Sequence, residues 1–74
     1  MKNNLRVWRA IAQISQDDLG QKIGVSRQTI YAIEKDKYVP STELALKLAK
    51  YFNTTVEHLF KLDDDGDGFA QPGA

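Results

Sequence analysis

The stretch Ser15-Gln16-Asp17-Asp18-Leu19-Gly20-Gln21-Lys22-Ile23-Gly24-Val25-Ser26-Arg27-Gln28-Thr29-Ile30 spells out two short helices and the turn between them. Ser15 is a good N-cap, because its side-chain oxygen can accept from the N–H groups that a first helical turn leaves without partners. Asp18, three residues on, stands where a capping box carries an acidic or amide side chain. Leu19 and Ile23 recur at the i, i+4 spacing of one apolar helix face. Gly20 lies beside that face and leaves room for another helix to come close. Gly24 follows the last periodic residue, where a helix end commonly needs a left-handed backbone. Ser26 then begins again as an N-cap, and Ile30 and Ile33 turn the next helix inward. Any fold must place these two helices across a tight turn before it places anything else.

The rest of the chain reads as three more helices and no strand. A first helix is expected over about 4–13, with Leu5, Trp8 and Ala12 on one face. Residues 35–40 form a connector, since Pro40 disfavours helix at Val39 and can start a new one. Ser41 caps a fourth helix whose buried stripe is Leu44, Leu48 and Phe52, with Ala45 and Ala49 beside it. Asn53 suits the turn that ends it, and Thr55 caps a short fifth helix with Val56, Leu59 and Phe60 inward. The expected core is Leu5, Trp8, Leu19, Ile23, Val25, Ile30, Ile33, Leu44, Leu48, Phe52, Val56, Leu59 and Phe60. At roughly 1.5–3 kcal/mol per fully buried large side chain, such a set offsets the chain entropy of the ordered part with little surplus.

The expectation is therefore an all-α, compact five-helix domain over residues 1–62 and a disordered acidic tail over 63–74. The net charge of zero conceals that division. Residues 1–62 hold ten basic against six acidic side chains, a net of +4, and Asp63, Asp64, Asp65 and Asp67 put −4 on the tail. The absence of cysteine removes disulfides and thiolate metal sites. No apolar run approaches the ~20 residues of a membrane span, and the first residues lack the apolar centre of a signal peptide. A soluble, cytoplasmic protein with no cofactor and no bound metal is expected, associated with the nucleoid if it binds DNA.

Several spaced motifs occur in a fixed order: Ser15-Gln16-x-x-Leu19-Gly20-x-x-x-Gly24-Val25-Ser26-x-x-x-Ile30, then Ile33-Glu34, Lys37-x-x-Pro40-Ser41 and Leu44-Ala45-Leu46-Lys47-Leu48-Ala49. In these residues the chain resembles the phage-repressor and Cro-type (XRE-like) helix-turn-helix family, in its minimal single-domain form. The resemblance implies a transcriptional regulator, expected to repress, that lays its third helix in the major groove of double-stranded DNA. Such a domain covers a short half-site, so a homodimer on a palindromic operator is implied. Helix five with its flanking residues, or a stripe on helix one, can supply the dimer contact.

Mapped onto this chain, the base-reading residues implied are Arg27, Gln28 and Thr29, with Tyr31 or Ala32 one turn later. Their chemistry suits the task. Arginine forks onto O6 and N7 of guanine, glutamine pairs with N6 and N7 of adenine, and threonine offers a methyl to thymine or a hydroxyl to phosphate. Gln16, Ser26, Lys35 and Lys37 are implied as phosphate contacts. Gln16 stands at a helix N-terminus, a natural anion site that Asp17 and Asp18 make directional. Arg9 and Glu34 occupy the positions of an ion pair that orients the recognition helix.

Three departures from the family pattern stand out. Gln13 replaces a Gly that often closes helix one, so a left-handed glutamine or a longer helix is expected. Lys35-Asp36 replaces a common Asn-Gly turn. Val7, Ala10 and Ile11 replace charged residues, so Val7 and Ile11 form a small exposed apolar stripe at i, i+4, a face that a protein partner can use. A rival reading follows from that stripe, an antitoxin-like interaction module with the same fold. Two distractions carry less. Asp63-Asp64-Asp65-Gly66-Asp67-Gly68 opens like a calcium loop but has Ala74 where a bidentate Glu is needed. An acidic tail that solubilises, or that competes with DNA, is the plainer reading. His58, the single histidine, has no catalytic companions and is expected on the exposed side of helix five, so no enzyme is expected.

Overall fold

The computed structural model describes residues 1–63, and the expected tail lies outside them except for Asp63. The five helices all form: α1 (Leu5–Ile11), α2 (Gln16–Ile23), α3 (Arg27–Glu34), α4 (Thr42–Tyr51) and α5 (Val56–Leu59). Two short strands, β1 (Lys2–Asn3) and β2 (Phe60–Lys61), bracket them.

Local chemistry sets the helix starts. The hydroxyls of Ser15, Ser26 and Ser41 accept from the N–H groups of Asp18, Thr29 and Leu44 at 3.0, 3.2 and 3.1 Å. Thr55 occupies the N-cap of α5 but makes no capping bond, contrary to expectation. Its hydroxyl lies 3.2 Å from His58 Nδ1, and that of Thr54 lies 2.8 Å from the same nitrogen. This pairing draws His58 in to a half-buried position, which corrects its expected exposure.

The helix ends follow one pattern. Gln13, Asp36 and Asn53 have φ of +56°, +59° and +56°. After each of them the next N–H reaches back five residues: Ile14 to the Arg9 carbonyl at 3.1 Å, Lys37 to Ala32 at 2.9 Å, and Thr54 to Ala49 at 2.9 Å. These are Schellman closures, which consume carbonyls that a helix end otherwise leaves unpaired. Gly24, with φ +95°, ends α2 as expected. The left-handed turn at Gln13 stops α1 at Ile11, short of the expected range, and leaves Ala12 exposed instead of inward.

Leu5, Leu19, Ile30, Ile33, Leu48 and Leu59 are fully enclosed, and Ile23, Leu44, Ala45, Ala49 and Phe60 complete the buried set. Trp8, Val25, Phe52 and Val56 pack half-buried against it, joined by Met1 and Ile14, which periodicity did not select. Gly20 serves a closer approach than that of a neighbouring helix. A Cβ there would lie 2.6 Å from the Val25 carbonyl oxygen, so its missing side chain admits the backbone of the turn into α3.

The expected all-α, five-helix architecture holds, and a two-residue strand pair that the sequence reading did not include is added to it. β1 and β2 pair antiparallel, Lys2 with Lys61 and Asn3 with Phe60. Phe60, expected inside helix five, takes an extended backbone at φ −131° and ψ 147° and keeps its ring buried. Asn3 fastens this end of the domain to the helices. Its Oδ1 accepts from Leu5 N–H at 3.1 Å, and its Nδ2 donates to the Ile33 carbonyl at 2.7 Å and to Asp36 Oδ1 at 2.8 Å. One side chain thus joins β1, the start of α1 and the end of α3.

Candidate nucleic-acid interface

Ser26 fixes the start of α3, and the first turn carries two exposed polar side chains, Arg27 and Gln28. Neither makes a hydrogen bond or ion pair among the described residues. With Gln16 and Tyr31 they line one depression between α2 and α3. Thr29 is half-buried and its hydroxyl lies 3.1 Å from Ser26 Oγ, so both groups are engaged in the cap. Ala32 is half-buried beyond them.

A wider basin continues from this depression toward α1. Its walls include Arg6, Arg9, Gln16, Arg27, Tyr31 and Lys35. Beneath it, Glu34 receives Arg9 Nε at 2.8 Å and Nη2 at 3.2 Å, while Arg9 Nη1 donates to the Ile14 carbonyl at 3.1 Å. Gln16 Nε2 donates to Glu34 Oε1 at 3.1 Å. The Glu34 side chain is 5% exposed and that of Arg9 19%, so this pair sits largely out of water. It ties α1, the start of α2 and the end of α3 into one unit. Lys35 Nζ stands 5.7 Å from the Tyr31 ring centroid, within the reach of a cation–π contact. Lys37 is exposed past the left-handed Asp36.

Gln16, Arg27 and Tyr31 line both hollows, Gln28 lines the smaller one, and Lys35, Arg9 and Glu34 line the wider, basic one. Ser26 and Thr29 act as cap, and Ala32 and Lys37 line neither depression. Arg6 was missed. Its signal was available, since it lies three residues before Arg9 and so on the same side of a helix.

Val7 and Ile11 are 54% and 74% exposed and take no part in this hollow. A separate apolar groove is lined by Met1, Val39, Pro40, Leu46, Val56 and Phe60, and shares no residue with the basic one. Among the described residues no group of His, Cys, Asp or Glu is placed to hold a metal ion. The calcium-loop reading falls on residues that lie, past Asp63, outside the described ones. No helix of the described residues is long and apolar enough to cross a membrane.

A helix-turn-helix family model matches residues 5–59, which is most of the chain and the whole of its helical part. The chain belongs to the helix-turn-helix family. A protein of Methanocaldococcus jannaschii named as an uncharacterized HTH-type transcriptional regulator is 54% identical over 65 residues, 88% of this chain and 98% of that one. The similarly named YgzD of Bacillus subtilis is 48% identical over 65 residues, again 88% and 98% of the two chains. In structure, the chain is similar to the SOS-response transcriptional repressor LexA from Eubacterium rectale, with a TM-score of 0.73 and 25% identity. That likeness covers 96% of this chain and 76% of the other. The helix-turn-helix relatives are named for regulation and none for an enzymatic activity, in keeping with the lack of a catalytic set in the sequence.

Proposed function

We propose that this protein is a transcriptional regulator that binds double-stranded DNA by sequence, with α3 in the major groove. The observation that carries the reading is the pair Arg27 and Gln28. Their side chains are exposed and without partners among the described residues, on a helix whose start is capped and whose end is tied to α1 and α2. A guanidinium and a carboxamide side by side are the two side chains best matched to guanine and adenine edges. Tyr31 offers sugar or methyl contact one turn later, beside Ala32. Thr29 and Ser26 reach phosphate only by giving up part of the cap. Lys35 and Lys37 supply charge without sequence information. The binding unit is residues 1–62, with 63–74 as an acidic tail.

The protein acts as a homodimer on a palindrome. Half-sites one turn apart are separated by about 34–36 Å. The domain's longest dimension is 33 Å, so with that axis along the duplex two copies on one face lie close enough for their side chains to meet. The apolar groove at Val39, Leu46 and Val56 suits that contact, because it begins in the connector that follows α3 and would keep both reading helices on one side. It lies where helix five and its flanks meet α4, one of the two places the sequence offered. A small domain seated on an operator excludes other proteins from that duplex, which favours repression, in the cytoplasm where the DNA is.

Selection from a random duplex pool at about physiological salt tests the reading, with Arg27→Ala/Gln28→Ala as control. An enriched palindrome lost in the double variant supports it. Failure of the intact wild-type fold to enrich any sequence turns the reading toward a protein partner on the Val7–Ile11 face.

A further inference from the structure

We propose that Arg6, on α1 and outside the helix-turn-helix itself, grips a backbone phosphate of the bound DNA. This rests on the DNA-binding reading and adds a contact to those that the family resemblance implies.

The basin's charges do not balance. Four cations line it, Arg6, Arg9, Arg27 and Lys35, against two carboxylates, Asp17 and Glu34. Glu34 is saturated, with Arg9 forked onto it and Gln16 donating to it. Gln16 thereby commits one of its two amide N–H groups inside the protein, which weakens the phosphate role implied for its side chain. Asp17 accepts an amide of Gln21 at 3.4 Å and faces no cation closely enough to pair. The basin keeps an excess of positive charge, and that excess resides on Arg6, Arg27 and Lys35. Lys35 rests over the Tyr31 ring, and Arg27 belongs to the reading turn. Arg6 alone of the three has neither a partner among the described residues nor a place on the reading helix. A guanidinium there cannot follow α3 into the groove, but it borders the same hollow, where the phosphate ridge beside the groove must pass. Its planar fork fits a phosphate bidentately.

The test is a titration of the full chain with its selected operator and with an unrelated duplex across a salt series. The proteins compared are wild type, Arg6→Gln and Arg6→Lys. Loss of one phosphate contact lowers the slope of log affinity against log salt by about 0.9, so Arg6→Gln should lose roughly 3.5-fold less affinity than wild type between 50 and 200 mM salt. The weakening should be equal on both duplexes, the discrimination between them unchanged, and the slope restored by Arg6→Lys. A merely structural arginine would change affinity without that unit change of slope. An unchanged slope overturns the proposal, as does a loss confined to the operator, which would mean a base contact. If the wild type binds neither duplex, the DNA-binding reading has failed and Arg6 with it. Wild-type binding with an unaltered Arg6→Gln isolates the failure to Arg6.

Discussion

Glu34 holds Arg9 side-on, Oε2 to Nε at 2.8 Å and Oε1 to Nη2 at 3.2 Å, in a pair that joins α1 to the end of α3. Both groups have left most of their water, so their attraction is set against a desolvation cost. In such pairs the cost of removing one partner far exceeds the net worth of the pair. Arg9→Ala strands a carboxylate that is 5% exposed and should destabilise the domain by about 3 kcal/mol, the lower end of the usual range, because Glu34 keeps the Gln16 amide. Arg9→Met with Glu34→Leu removes both charges and should cost no more than ~1 kcal/mol. Urea unfolding of the two variants checks the difference. Equal losses would mean that packing, and not the stranded charge, dominates.

The left-handed residues at the helix ends give a prediction that separates two of them. A side chain at left-handed φ costs about 1–2 kcal/mol relative to the right-handed form, which glycine avoids at about 0.5–1 kcal/mol of extra chain entropy. Gln13, at φ +56°, makes no side-chain hydrogen bond among the described residues, so Gln13→Gly should stabilise. A gain of about 0.5–1 kcal/mol raises Tm by roughly 3–6 °C in a domain of this size. Asp36, at φ +59°, accepts from Asn3 Nδ2 at 2.8 Å, so Asp36→Gly exchanges strain relief for a lost staple and should gain nothing. Thermal melts of the two variants decide it.

What could be read in the sequence was what local chemistry decides. Ser15, Ser26 and Ser41 cap as read, because each hydroxyl meets an N–H only three residues away. Gly24 and the periodic Leu19, Ile23, Ile30 and Ile33 were legible for the same reason. The pairing of Lys2–Asn3 with Phe60–Lys61 was not, since two residues carry no period and their partners lie at the other end of the domain. Nothing in the sequence marks Asn3, and only the arrival of the α3 end gives its amide two acceptors. At Thr55 a competing partner, His58, took the hydroxyl that capping needed. The Arg9–Glu34 pair could be placed by resemblance, but its capture of Gln16 is a matter of three elements meeting.

Gly20 offers the sharpest test of the turn. The Val25 carbonyl oxygen would lie 2.6 Å from an added Cβ, and it is backbone, with no rotamer to move. Gly20→Ala must therefore push the turn and α3 away from α2. Overpacking of this kind costs about 1–3 kcal/mol, against which alanine's better helix propensity returns less than ~1 kcal/mol. The same shift displaces Arg27 and Gln28 relative to Gln16. A variant that melts lower and, while folded, discriminates its operator less well would match this account. A variant of wild-type stability would mean the turn relaxes freely.

The proposed dimer contact makes its own demand on Leu46. Its side chain is 57% exposed on α4, so a charge there costs the folded monomer little. In a two-fold contact the same residue is buried, or nearly so, on both copies at once, and a carboxylate would be doubled against itself. Leu46→Asp should keep the helical spectrum and melting of the wild type and bind a single half-site with unchanged affinity. On a palindrome it should lose the cooperative gain that the second copy provides. The comparison of half-site with full-site affinity separates the groove from the reading helix, because Arg27→Ala weakens both sites alike. If Leu46→Asp leaves full-site binding intact while Ile11→Asp abolishes its cooperativity, the two-fold contact lies on the Val7–Ile11 stripe of α1, and the groove serves no second copy on DNA.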